Sequence, residues 1–427
     1  MSRPTPTTIV HVPRRFVAEE WGGTETVILE ISRQQQRGGF SPVITTSMAL
    51  ARRRNECIGG IPVKRFPYCY PFFGLSTADK TSLDKKGGNL LSISLLQSLL
   101  TEPNVRLFHA HSLKRLGGEV RTAARIRRKP LVVSLHGGVF DVPAAELSSM
   151  LKPIENRFEW GKPFGALFGS RRVLEDADQV ICVGQSELDK AKTQLTHGRV
   201  SYLPNGVDCS KFAQGDGAAF RKKYRISADA FLVLTLSRID SQKNQLLLLE
   251  AFARLYKSLP QAQLILIGPE TQPSYATQLR EFIAANQLGG RVQLLPGLRP
   301  DNPELIQAYH AADLFVLPSM HEPFGIVVLE AWSSGLPVIA SRVGGLQSLV
   351  KEGETGFFID PSVPSAAEHL AARISQLALD PSLRHRLGDA GLAEARSQYD
   401  WEHIGKQLET LYGAAEQHFA SKRITSS

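Results

Sequence analysis

Cysteine is scarce in this chain of 427 residues. Cys57, Cys69, Cys182 and Cys209 never fall at C-x-x-C spacing, which excludes a zinc ribbon and a disulfide framework. They read as reduced, structural thiols of a cytosolic protein. Long apolar runs are missing too: none approaches the roughly 18–20 residues that a membrane helix requires. Residues 1–10 lack a basic stretch followed by an apolar core, so no secretory signal is expected. The chain has neither G-x-G-x-x-G nor G-x-x-x-x-G-K-[ST], which removes the dinucleotide fingerprint and the P-loop. It also has no low-complexity tract and no short internal repeat.

What is present is ordinary globular composition, 42% hydrophobic and 21% charged, enough for two sizeable cores. The net charge of +9 is uneven. Residues 1–207 hold 29 Lys and Arg against 18 Asp and Glu, a net of +11, and the remainder has a net of −2. Arg52-Arg53-Arg54, Lys114-Arg115, the run from Arg125 to Lys129 and Arg171-Arg172 carry the excess. A basic half attracts anionic partners, among them an anionic membrane surface.

Short β-branched runs alternate with longer amphipathic ones. Strands are expected at 8–12, 42–46, 63–66, 107–109, 131–135, 179–183 and 200–203, then at 231–236, 263–267, 292–295, 314–317, 337–340 and 356–359. Helices are expected between them, at 24–36, 90–100, 244–259, 275–286, 303–311 and 325–334. Strand–helix alternation gives parallel sheets covered on both faces. Thirteen strands are too many for one such sheet, so two are expected. The turn chemistry of Pro204-Asn205-Gly206 sets the boundary, giving domains 1–207 and 208–400. A terminal helix at about 401–419 and a frayed tail over 421–427 follow.

Chemistry concentrates where strands end. The strand at 314–317 runs into Pro318-Ser319-Met320-His321-Glu322-Pro323-Phe324-Gly325 and then a helix. In parallel sheets, ligands bind at the carboxyl ends of strands. A helix start near Phe324, Gly325 and Ile326 offers unpaired N–H groups and a positive dipole end to a phosphate. Glu330 lies about 8 Å further along that helix, one nucleotide's span from diphosphate to ribose. Ser237-Arg238-Ile239-Asp240-Ser241-Gln242-Lys243-Asn244 follows the strand at 231–236 and supplies a bidentate fork and a point charge. In the first half, Gly22-Gly23 lets a ligand approach the backbone, and His136-Gly137-Gly138 ends the strand at 131–135.

The Glu322-x7-Glu330 spacing, Gly344-Gly345, Glu354-Thr355-Gly356-Phe357 and the Arg238/Lys243 pair resemble the retaining GT-B glycosyltransferases of family 4. The resemblance implies two Rossmann-like domains facing a cleft and transfer of a hexose from a UDP- or GDP-linked sugar. It implies a glycan, lipid-linked or small-molecule acceptor and no nucleic acid. It assigns the diphosphate to Gly22, Gly23, Arg238, Lys243, Phe324, Gly325 and Ile326, and the ribose to Glu330. It puts His136 and Glu322 at the reaction centre, Leu298 and Arg299 beside the base, and His111 on the acceptor side. The terminal helix is expected to cross back onto the first domain. No cofactor or metal is expected. His109-Ala110-His111 has no carboxylate or cysteine ligand beside it, and Asp176-Ala177-Asp178 sits at the wrong end of its strand. The protein is expected in the cytoplasm, peripheral on the membrane's inner face. The aromatic, basic stretch 140–172 matches no motif and is open to acceptor, membrane or structural roles. An epimerase or phosphorylase of similar fold, and a non-catalytic sugar binder, remain as alternatives.

Overall fold

The first sheet runs β3-β4-β2-β1-β5-β6-β7-β8 and the second β11-β10-β9-β12-β13-β14, as seen in a computed structural model that describes residues 6–85, 87–137, 150–255, 257–299 and 301–425. The chain divides into two compact units, residues 1–204 with 404–427, and residues 205–403.

In the first unit the strands are β1 Thr8–Val12, β2 Ser41–Ser47, β3 Asn55–Ile58, β4 Ile61–Phe66, β5 Val105–Ala110, β6 Leu131–Leu135, β7 Gln179–Cys182 and β8 Val200–Tyr202. All pairings are parallel except β3 with β4. Every residue of β1, β6 and β7 is buried, because helices cover both faces of a parallel sheet. Val10, Phe108, Leu131 and Val180 pack with Leu95 and Val120 from flanking helices. The edge strand β3 was not expected. Its side chains alternate exposed and half-buried, so it lacks the apolar run of its neighbours. Gly59 and Gly60 (φ 56° and 86°) close its hairpin with β4.

The second unit holds β9 Phe231–Leu236, β10 Ala262–Ile267, β11 Val292–Leu295, β12 Leu314–Leu317, β13 Val338–Ser341 and β14 Phe357–Ile359, all parallel. Numbered from β9, its order is 3-2-1-4-5-6, the doubly wound arrangement. Its core joins Val233, Leu264 and Val316 to Leu248, Phe252 and Leu370 on the helices.

The helix Trp401–Thr425 continues past the expected end, into the stretch read as frayed, whose residues 426–427 lie outside the described ones. Lys422 Nζ donates to Asp178 Oδ1 at 2.9 Å and ties that end to the first unit. Arg106 pairs with Glu409 and Glu416 on the same helix. Asp178 also accepts the N–H of Leu131 at 2.9 Å, so the D-x-D pair works as helix end and strand clamp.

Candidate active site

In the second unit the strand order reverses between the neighbours β9 and β12. The crevice outside such a pair is where doubly wound sheets take ligands. The loop after β9 carries Arg238 and Lys243. Asp240 shapes it: Oδ1 accepts the Lys243 N–H at 3.2 Å, and Oδ2 lies 3.0 Å from Arg238 Nη1. Asn244 adopts the left-handed region (φ 53°) to turn the chain into the helix Gln245–Leu255. The loop after β12 carries Glu322. The Met320 N–H donates to the Gln242 carbonyl at 2.8 Å, joining the two loops. Across that join Lys243 Nζ donates to Glu322 Oε2 at 2.6 Å. Both side chains are only 13% exposed, so this is a desolvated pair rather than a surface one.

The glycines after β13 explain how Glu322 is placed. A Cβ on Gly344 would lie 2.2 Å from the Glu322 carbonyl oxygen, and one on Gly345 would lie 2.2 Å from that of Pro323. Gly345 N–H donates to the Glu322 carbonyl at 2.9 Å. Gly325 (φ 99°) caps the helix Ile326–Ser333, whose positive end therefore meets the same loop. Further along that helix, Tyr309 donates its hydroxyl to Glu330 Oε2 at 2.7 Å. Burial pushes the Glu330 carboxyl up, while Tyr309 and the charge of Lys211 draw it down. Leu298 and Arg299 follow β11, two strands from β9, or about 10 Å. Arg299 is exposed and pairs with Asp301 at 3.2 Å.

In the first unit the order reverses between β1 and β5. Gly22 and Gly23 begin the helix Gly23–Arg37 after β1, and the Gly22 N–H already donates to Glu25 Oε2 at 3.1 Å. Four histidines gather at this sheet: His11 on β1, His109 and His111 at the end of β5, and His136 past β6. His136 Nε2 lies 2.9 Å from His111 Nδ1, His111 Nε2 lies 2.9 Å from His11 Nδ1, and His11 Nε2 lies 2.8 Å from Gln35 Oε1. The Gln35 amide donates to Tyr412 Oη at 2.9 Å. His109 bridges Tyr412 Oη (2.8 Å) and Ser134 Oγ (2.7 Å). Burial lowers His11 and His136 to about 4, and His109 and His111 well below the ordinary imidazole value. All four rings are therefore neutral at pH 7.

Two family models match the chain. "Glycosyltransferase Family 4" covers residues 21–211, and "Glycosyl transferases group 1" covers 216–393. The chain is a group 1 glycosyltransferase of family 4. Two curated relatives named D-inositol 3-phosphate glycosyltransferase are 29% identical to this transferase. The one from Geodermatophilus obscurus spans 95% of this chain and 87% of its own; the one from Kribbella flavida spans 94% and 92%. Among solved structures, Anabaena Alr3699/HepE in complex with UDP and glucose is 22% identical with a TM-score of 0.70, covering 95% of this chain and all of that one. Sucrose-phosphate synthase from Thermosynechococcus elongatus is also 22% identical, with a TM-score of 0.71 and coverage of 97% and 100%. These likenesses show the GT-B fold.

Within the transferase, the structure brings Arg238, Lys243, Glu322, Gly325 and Glu330 to loops and a helix start at one end of the second sheet. His111, expected on the acceptor side, is 9% exposed and has both ring nitrogens engaged. Its carbon frame sits inside the unit because β5 continues to Ala110. The sequence reading missed His11, Gln35, Tyr309 and Tyr412. His11 completes a trio with His109 and His111 whose ligand nitrogens lie within 4.8 Å of one another. Hydrogen bonds occupy both nitrogens of each of these three rings, and a metal there would displace them. Of the unassigned stretch 140–172, residues up to 149 lie outside the described ones, as does Gly138. The rest is partly structural: Arg157 pairs with Asp79 and Glu159 with Arg115. Phe158 and Leu167 are exposed, with Phe158 stacked on Phe73.

Proposed function

We propose that this glycosyltransferase moves a hexose from a UDP- or GDP-linked sugar to a glycan, lipid-linked or small-molecule hydroxyl, with retention at the anomeric carbon and without a metal. The observation that carries the reading is the desolvated Lys243–Glu322 pair beside Arg238, at the strand-order reversal. A cation held beside a carboxylate in a ligand crevice is poised to exchange that partner for a diphosphate. In the reaction the bond from the sugar's anomeric carbon to the diphosphate oxygen breaks. The acceptor oxygen bonds to that carbon from the same face, and its proton passes to the departing phosphate. Arg238, Lys243 and the helix start at Gly325 offset the charge that develops on the leaving group. Glu322 positions donor hydroxyls, Glu330 accepts from the ribose hydroxyls, and His136 faces the sugar.

The solved relative bound to UDP and glucose and the relatives named for inositol phosphate support a nucleotide-sugar donor and a polyol acceptor. Among the described residues no helix is long and apolar enough to cross a membrane. Exposed Phe158 and Leu167 on the basic unit suit peripheral attachment to an anionic leaflet on the cytoplasmic side.

A thermal-shift screen against nucleoside diphosphates and their sugars tests the donor, since ligands that bind only the folded state raise its melting point. A shift with UDP or GDP compounds is expected, and no shift with any of them overturns the reading.

A further inference from the structure

The four histidines do more than fill space, because their hydrogen bonds form a single file with a direction. A neutral imidazole carries one N–H and one lone pair. In a file where each ring uses both nitrogens, the choice made at one end fixes every ring to the other end. The inner end is the Gln35 amide. Its Nε2 donates to Tyr412, so its Oε1 accepts from His11 Nε2–H. His11 Nδ1 must then accept from His111 Nε2–H, and His111 Nδ1 from His136 Nε2–H. The side branch agrees: Tyr412, having accepted from Gln35, donates to His109 Nδ1, and His109 Nε2–H donates to Ser134 Oγ. No ring is left without a consistent assignment.

We propose that His11, His111 and Gln35 are positioning residues that hold His136 in the tautomer with its proton on Nε2, so that Nδ1 presents a lone pair to a sugar hydroxyl. The second half of this statement rests on the donor site proposed above; the first half does not. Among the described residues, none bonds His136 Nδ1, and His136 alone of the four is half-buried rather than buried. The file costs several buried polar groups, which a purely packing role would replace with apolar side chains. A site that accepts from a hydroxyl also discriminates: a bound donor lacking that hydroxyl covers the lone pair and leaves it unpaired.

The test is a long-range proton–nitrogen correlation spectrum of the full chain labelled with ¹⁵N-histidine, recorded without ligand. His11, His111 and His136 are expected to carry their protons on Nε2. In His11→Phe, His136 is expected to populate both tautomers, with kcat/KM for the donor sugar down about tenfold, one hydrogen bond's worth. Gln35→Leu leaves all four rings in place and is expected to give the same mixing, so the test survives if His11→Phe does not fold. A proton on His136 Nδ1 in the wild type overturns the proposal, as does a wild-type His136 signature in Gln35→Leu. Stoichiometric Zn(II) uptake by the wild type that is lost in His11→Phe overturns it in favour of a metal site. Because the spectrum needs no donor, a failure here is separate from a failure of nucleotide sugars to bind, which would instead sink the donor reading.

Discussion

At its strand-order reversal the second unit places charged side chains on loops, whereas the first places neutral rings. Both sheets are doubly wound, and both reverse strand order next to their first strand. At β9 and β12 the reversal is flanked by Arg238, Lys243 and Glu322, held on short loops. At β1 and β5 it is flanked by His11, His109 and His111, all buried and uncharged at neutral pH. Under the proposed function, the difference follows from what each place has to recognise. A diphosphate needs fixed positive charge, which loses little beside a carboxylate partner at the crevice mouth. A sugar hydroxyl needs a directed donor or acceptor, which an ordered neutral network supplies without competing for the phosphates.

The sharpest way to break this contrast is Lys243→Ala. Transfer should fall roughly 10²–10³-fold, the size of losing one preorganised charge-stabilising contact, with the circular dichroism spectrum unchanged. Wild-type turnover would remove charge from the account of the second unit. Next is acid stability. His11 is lowered from 6.5 to about 4 by burial, so between these values the unfolded chain binds more protons than the folded one. The His11 contribution is complete above about pH 6.5 and is lost as pH falls toward 4, a cost of about 3 kcal/mol. Denaturant midpoints measured across that range should drop steeply, and His11→Phe should flatten the slope.

Tyr309→Phe removes the hydroxyl that holds Glu330 and should weaken donor binding about tenfold in KM with kcat nearly unchanged. An equal fall in kcat would move Glu330 into the chemical step. Glu119, buried and pushed up to about 8, works with the opposite sign: its contribution is present at low pH and lost as pH rises through 8. Glu119→Gln should therefore melt a few degrees higher than wild type at about pH 9 and scarcely differ at about pH 5. The smallest expected effect is none at all: chelation by EDTA should leave the rate intact, and a magnesium-reversible loss would put a metal where Lys243 and Arg238 are placed.

The same contrast decides what could be read from the sequence. β12 is an unbroken apolar run and β9 is interrupted only by Thr235; Arg238, Lys243 and Glu322 lie in the loops that follow them and Glu330 in the helix after β12, so all four announce themselves locally. The histidine file has no local signal. His11 and His111 are 100 residues apart, and Gln35 and Tyr412 are 377 apart, so only the parallel sheet and the terminal helix bring them together. Tyr309 was hidden in the same way, on a helix that precedes Glu330 by 21 residues. β3 was legible in principle, since Gly59-Gly60 between two short β-prone runs is a hairpin signal, but its half-polar face masked it.

The tyrosine that closes the file has a consequence for how the molecule is made. Tyr412 is synthesised 303 residues after His109, its partner. During translation the first sheet can form long before that hydroxyl arrives, and the whole second unit is made in the interval. The earliest part of the protein to acquire its strands is thus the last to acquire its ordered interior, and a ribosome-bound chain stalled before residue 412 would carry a first unit with its histidines in place and no fixed direction among them.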